Sequence, residues 1–199
     1  MNGVRVDLNE GETMIQSIGV IGAGQMGNGI AQVAACAGYD VVMIDIKDEY
    51  VEKGLGTIQF SLGKLVSKER MTQDDADAAL ARITTGTDRG MCADCDLVVE
   101  AVPEILSLKQ EIFTELDGIC KPEAILASNT SSISITTIAG STNRPDKVIG
   151  MHFMNPVPIM KLVEIINGAD TSEATNTAVV EAAEKMGKTA LSCNDAPGF

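Results

Sequence analysis

The chain has 199 residues, 45% of them apolar but only 3% aromatic, with no tryptophan. It is long enough to bury one aliphatic core, which excludes a disordered polypeptide. Its formal net charge of -13 excludes the basic face that nucleic acid requires, although a few local lysines can still hold a small anion.

Met1–Glu12 is polar and acidic, unlike a secretory leader. A second methionine, Met14, stands just before the first apolar run, so residues 1–13 read as an N-terminal extension and 14–199 as one domain. Ser17–Gly22 (SIGVIG) predicts a strand, Gln25–Ala37 a helix, and Asp40–Asp45 (DVVMID) a second strand ending on an acid. A helical stretch follows over 48–82, broken near Met71-Thr72, with Val51, Leu55, Ile58, Leu62 and Leu65 on one apolar face. Ser61, Lys64 and Lys68 share another face. A hairpin standing off the sheet would make that face a cleft wall, and an ordinary solvated surface fits the same residues equally well.

Further strands are expected at Asp96–Val102, Ala124–Ser128, Val148–Phe153, Leu162–Ile166 and Thr189–Cys193, with helices at Ile105–Cys120 and Ser172–Lys185. Strands alternating with helices predict an α/β fold of the doubly wound Rossmann type, its sheet mostly parallel and covered on both faces. No run approaches the roughly 18 apolar residues of a membrane span. Cysteines 36, 92, 95, 120 and 193 form an odd set without secretory context, which points to reduced thiols and a cytoplasmic protein. Cys92 and Cys95 have CxxC spacing, but no second pair or nearby histidine completes a metal site.

Gly22-Ala23-Gly24-Gln25-Met26-Gly27 is a GxGxxG loop between a strand and a helix. Its glycines allow a tight turn, close approach of a pyrophosphate and close helix–strand packing, and the helix N-terminus offers free amides to the phosphates. Asp45, 18 residues after the last glycine, suits two ribose hydroxyls and repels a 2′-phosphate, so NAD is favoured over NADP. Ser128–Ser132 (SNTSS) follows one strand, and His152 ends the next. Both therefore belong at the carboxyl edge of the sheet, where ligands of such folds bind. Ser, Thr and Asn are also ordinary turn residues, and a lone histidine is often structural. Imidazole is nevertheless the side chain suited to taking and returning a proton near neutral pH, and Glu164, twelve residues on, is a candidate to orient it.

On the stretches IGVIGAGQMGNGIA, DLVVEAVPE, ILASNTSSISIT, RPDKVIGMHFMNPVPIMKLVEII and APGF, the chain resembles the NAD-binding domain of the L-3-hydroxyacyl-CoA dehydrogenases, bacterial 3-hydroxybutyryl-CoA enzymes above all. Met154 stands where that family commonly has phenylalanine. The resemblance implies that His152 is the general base for a 3-hydroxyl proton, that Glu164 orients it, and that Ser131 hydrogen-bonds the substrate oxygen and helps position the nicotinamide. It implies cofactor contacts for Glu104, Lys109 and Asn155, and coenzyme A contacts for Ser61 and Lys68. It further implies an acyl-CoA substrate, whereas the catalytic asparagine and the helical, dimer-forming domain that follow proline-glycine-phenylalanine in that family are expected to be absent from these 199 residues. A nucleotide-binding module with little turnover is the competing reading.

Overall fold

The computed structural model describes residues 15–196, so the expected extension over 1–13 and the last three residues of APGF lie outside the described residues. Ser17–Ile21 (β1), Gln25–Cys36 (α1) and Asp40–Ile44 (β2) form the opening β-α-β unit. The next helices are Asp48–Ser67 (α2) and Gln73–Ala81 (α3), with Thr72 capping α3 by accepting the Asp75 N–H. They lead into Ile83–Gly86 (β3), a strand the sequence reading did not anticipate. The remaining elements are Leu97–Glu100 (β4), Leu106–Ile119 (α4), Ile125–Ser128 (β5), Ile135–Ala139 (α5), Val148–Phe153 (β6), Leu162–Asn167 (β7), Glu173–Lys185 (α6) and Thr189–Asn194 (β8).

The eight strands make one sheet in the order β3-β2-β1-β4-β5-β6-β7-β8. Six run parallel, and β7 and β8, parallel to each other, run against them from the β6–β7 pair onward. Alternate residues of the central strands feed two cores, as a strand's period of two requires. Leu97, Val99, Ile125 and Ala127 pack with Ile30, Ile58 and Leu62 on one face. Val98 and Leu126 pack with Ile112, Phe113 and Leu116 of α4 on the other. Both faces being covered, β1, β4 and β5 are apolar along most of their length, the signature of a doubly wound sheet.

One expectation needs correcting. The α2–α3 hairpin does not stand off the sheet: Ile58, Leu62, Ala76 and Ala79 lie in the core beside α1. It is the crossover between β2 and β3, and its apolar stripe packs mainly on α1 and against the edge strand β3. The sequence order of strands reverses between β1 and β4, which opens a crevice at their carboxyl ends.

Candidate functional site

The loop after β1 sits at that crevice. Gly22 has φ +102°, and a Cβ there would lie 2.7 Å from the Ala101 carbonyl oxygen, so no other residue fits the turn. A Cβ on Gly27 would lie 1.6 Å from Gly22 O, which shows how closely α1 starts beneath the loop. Gly24 is the N-cap of α1 and supplies no side-chain bond, so the first amides of the helix face outward without a side-chain partner. Asp45, just past β2, accepts the Ala23 N–H at 2.7 Å and the Ile46 N–H at 2.7 Å. Each carboxylate oxygen keeps a lone pair for a further donor.

A cavity of about 1010 Å³ opens here, lined among others by Gly22, Gly24, Gln25, Asp45, Val102 and Leu108. His152 and Ser131 do not line it. They lie further along the same edge, near the end of β6 and just after β5, and two hydrogen bonds link the segments that carry them to the loop and to each other. Gln25 donates from Nε2 to Asn155 Oδ1 at 3.2 Å, and the Phe153 N–H donates to Asn129 Oδ1 at 2.8 Å. Glycine loop, β6 end and serine loop are thus tied into one rim.

His152 and Glu164 are directly opposite each other in the antiparallel β6–β7 pair. His152 Nδ1 lies 2.8 Å from Glu164 Oε2. A carboxylate only accepts, so Nδ1 carries the proton and Nε2 keeps its lone pair in the neutral ring. The antiparallel strand that the sequence pattern could not orient is what supplies this partner.

Ser131 follows β5. Glu104 accepts the Ser131 N–H at 2.9 Å and the Thr130 hydroxyl in a short bond, and its other oxygen lies 3.2 Å from Lys109 Nζ. Burial pushes the Glu104 carboxyl upward, but the Thr130 hydroxyl and the Lys109 charge outweigh it and hold the group below the ordinary range. Lys109 itself departs from the expected direct cofactor contact. Its side chain is 1% exposed, and its ammonium is spent on Glu100, Glu104 and the Val102 carbonyl. Glu100, beneath this rim, was not anticipated, and the available signal was an acid inside the apolar run DLVVEAV.

Ser61 and Lys68 meet at a second cavity of about 530 Å³, whose lining also includes Lys64, Arg70, Ile159 and Lys185. Four cations around one groove stand out against an acidic chain. Cys92 and Cys95 are buried, and among the described residues no cluster of His, Cys, Asp or Glu could hold a metal ion.

Residues 17–196 match the family described as the NAD-binding domain of 3-hydroxyacyl-CoA dehydrogenase. A probable 3-hydroxybutyryl-CoA dehydrogenase of Deinococcus radiodurans is 58% identical over 181 residues, covering 91% of this chain and 65% of that protein. A 3-hydroxybutyryl-CoA dehydrogenase of Bradyrhizobium diazoefficiens is 50% identical over 186 residues, covering 94% and 64%. Among solved structures, the (S)-3-hydroxybutyryl-CoA dehydrogenase of Ralstonia eutropha superposes with a TM-score of 0.91 at 48% identity, over 93% of this chain and 65% of that one. The chain thus spans just under two thirds of the length of these relatives.

Proposed function

The chain belongs to the family of NAD-binding domains of 3-hydroxyacyl-CoA dehydrogenases, and from that premise we propose that it serves an NAD-dependent oxidoreductase interconverting (S)-3-hydroxyacyl-CoA and 3-oxoacyl-CoA. Short-chain substrates of the 3-hydroxybutyryl-CoA and acetoacetyl-CoA kind, in fatty acid or butyrate metabolism, accord with the names of its relatives. The observation that carries the proposal is the His152–Glu164 pair on the rim shared with the glycine loop.

The residues present fit the dinucleotide. Open amides at the start of α1 suit a pyrophosphate, a Cβ on Gly24 would meet nothing within 4 Å, and Asp45 lines the same cavity with lone pairs to spare for a ribose. Asp45 also disfavours a 2′-phosphate, so NAD is the cofactor of choice. When bound, the nicotinamide would supply the hydride acceptor or donor. His152 Nε2 takes the 3-hydroxyl proton in oxidation and returns it in reduction, while Glu164 stabilises the charged ring and fixes its orientation. We assign Ser131 to the substrate oxygen and the nicotinamide, and Glu104 and Asn155 to the cofactor's edge of the rim. Ser61 and Lys68, with Lys64 and Arg70 beside them, suit the phosphates of coenzyme A, which local cations would steer into place. The free cysteines fit a reducing, cytoplasmic setting.

The test is acetoacetyl-CoA-dependent loss of NADH absorbance, run alongside calorimetric NADH binding. His152→Ala should lower kcat by about 10²–10⁴-fold while NADH affinity stays within about threefold. A comparable loss of NADH affinity would make the histidine structural. NADH binding by the unaltered chain without any turnover would support a nucleotide-binding module instead.

A further inference from the structure

Beneath the rim lies an ion cluster that the proton chemistry above does not use. Glu100 ends β4, in register with Ser128 at the end of β5, and its side chain is 0% exposed. Its Oε1 accepts from Lys109 Nζ at 2.7 Å and from the Val102 N–H at 2.7 Å, and its Oε2 accepts the Ser128 hydroxyl at 2.6 Å. Three of the roughly four lone-pair directions of this carboxylate are therefore matched to donors from different elements: the β4–α4 turn, β5 and α4. Lys109 is as deeply buried, and it faces two carboxylates, Glu100 and the part-exposed Glu104. A charge so far from water is tolerated only where its partners are fixed.

The consequence runs outward to Ser131. Glu104 uses one oxygen on Lys109 and the other on the Thr130 hydroxyl and the Ser131 N–H. Without Glu100, the buried ammonium would have Glu104 as its only counter-charge. It would draw that carboxylate inward and off the serine loop. Ser128 adds a second tie, since its hydroxyl oxygen accepts the Thr130 N–H at 3.2 Å while its proton goes to Glu100.

We propose that Glu100 is a positioning residue for the Ser131 loop, acting through Lys109 and Glu104 on one side and through Ser128 on the other. It neutralises and orients Lys109, Lys109 anchors Glu104, and Glu104 holds Thr130 and Ser131 in place. The catalytic consequence rests on the proposed role of Ser131, whereas the hold on the loop does not.

The experiment is amide hydrogen exchange read by mass spectrometry on the whole 199-residue chain, with Glu100→Gln and the charge-balanced Glu100→Gln/Lys109→Met as variants. Both should speed exchange across residues 129–134 by about tenfold or more and leave β1 and the glycine loop at the unaltered rate. In the turnover assay, Glu100→Gln should lower kcat about tenfold with KM for NADH within about twofold. A folded variant whose 129–134 segment exchanges at the unaltered rate would overturn the assignment. So would failure of both variants to fold, which would make Glu100 a support of the whole sheet. Faster loop exchange with unchanged kcat would uphold the hold on the loop and instead remove Ser131 from the reaction.

Discussion

Gly24 and Gly27 stand three residues apart in one loop and answer to different constraints. A methyl on Gly27 would sit 1.6 Å from Gly22 O, so the helix would have to leave the strand to accommodate it. Gly27→Ala should therefore cost more than about 3 kcal/mol of stability, in the range where a substitution breaks packing outright. Gly24 has φ -65° and ψ -166°, which alanine adopts freely, and open space around the added methyl. Gly24→Ala should leave Tm within about 2 °C and weaken NADH at least about tenfold, because the methyl occupies the approach of the pyrophosphate. Thermal unfolding and calorimetry on the two variants separate the two constraints. Equal losses of Tm would mean that Gly24 is also a packing glycine.

The loop that carries Asn155 is held in place by an element distant in sequence. Lys188, in the turn between α6 and β8, is buried and donates to the Met160 carbonyl at 2.8 Å and, in a short bond, to the Val157 carbonyl. Burial pulls its ammonium below the ordinary lysine range, since carbonyl dipoles are its only partners among the described residues. Lys188→Met keeps the length of the stem but strands two acceptors, which should cost about 1–3 kcal/mol and speed exchange over residues 156–160 more than elsewhere. A midpoint of urea unfolding equal to the unaltered chain would show that the carbonyls find water instead. Nothing in the sequence marks Lys188, and the reason is general. A lysine after a glycine at a helix end reads as a solvated cap, and only tertiary packing turns it inward. The same limit hid β3, four residues with two threonines and a glycine, and α5, only five residues long. It hid the pairing of Glu100 with Lys109 too, because the burial of a charge depends on partners far along the chain. What was legible came from local pattern: the glycine loop, the period-two apolar strands, and an acid and a histidine at strand ends. The direction of β7 was not legible, although Glu164 faces His152 only because that strand runs antiparallel.

Charge sets two opposing trends over the molecule as pH falls. At neutral pH the excess of 28 acidic over 15 basic residues repels itself in the folded state, and mild acid relieves that repulsion. Specific carboxylates work the other way. Asp96 holds the start of β1 through the Gln16 and Ser17 amides and pairs with Lys121. Asp117 joins α4 to the segment before β6 through Arg144 and Asn143. Burial pushes both carboxyls upward, but the bonds they accept outweigh it, and both sit below the ordinary carboxylate range. Stability from these pairs is fully present above the ordinary aspartate value of about 3.9 and is lost as pH falls through their depressed values. The urea midpoint should therefore rise modestly from pH 7 toward about pH 5, then fall steeply below about pH 4. Asp117→Asn should lower the plateau and flatten the acid limb, since its contribution is already gone, while leaving the rise between pH 7 and 5 in place. A midpoint that declines steadily from pH 7 downward would mean that global repulsion is negligible at this charge. An acid limb unchanged by Asp117→Asn would assign the loss to the other bridged carboxylates, Asp96 with its Gln16, Ser17 and Lys121 donors among them.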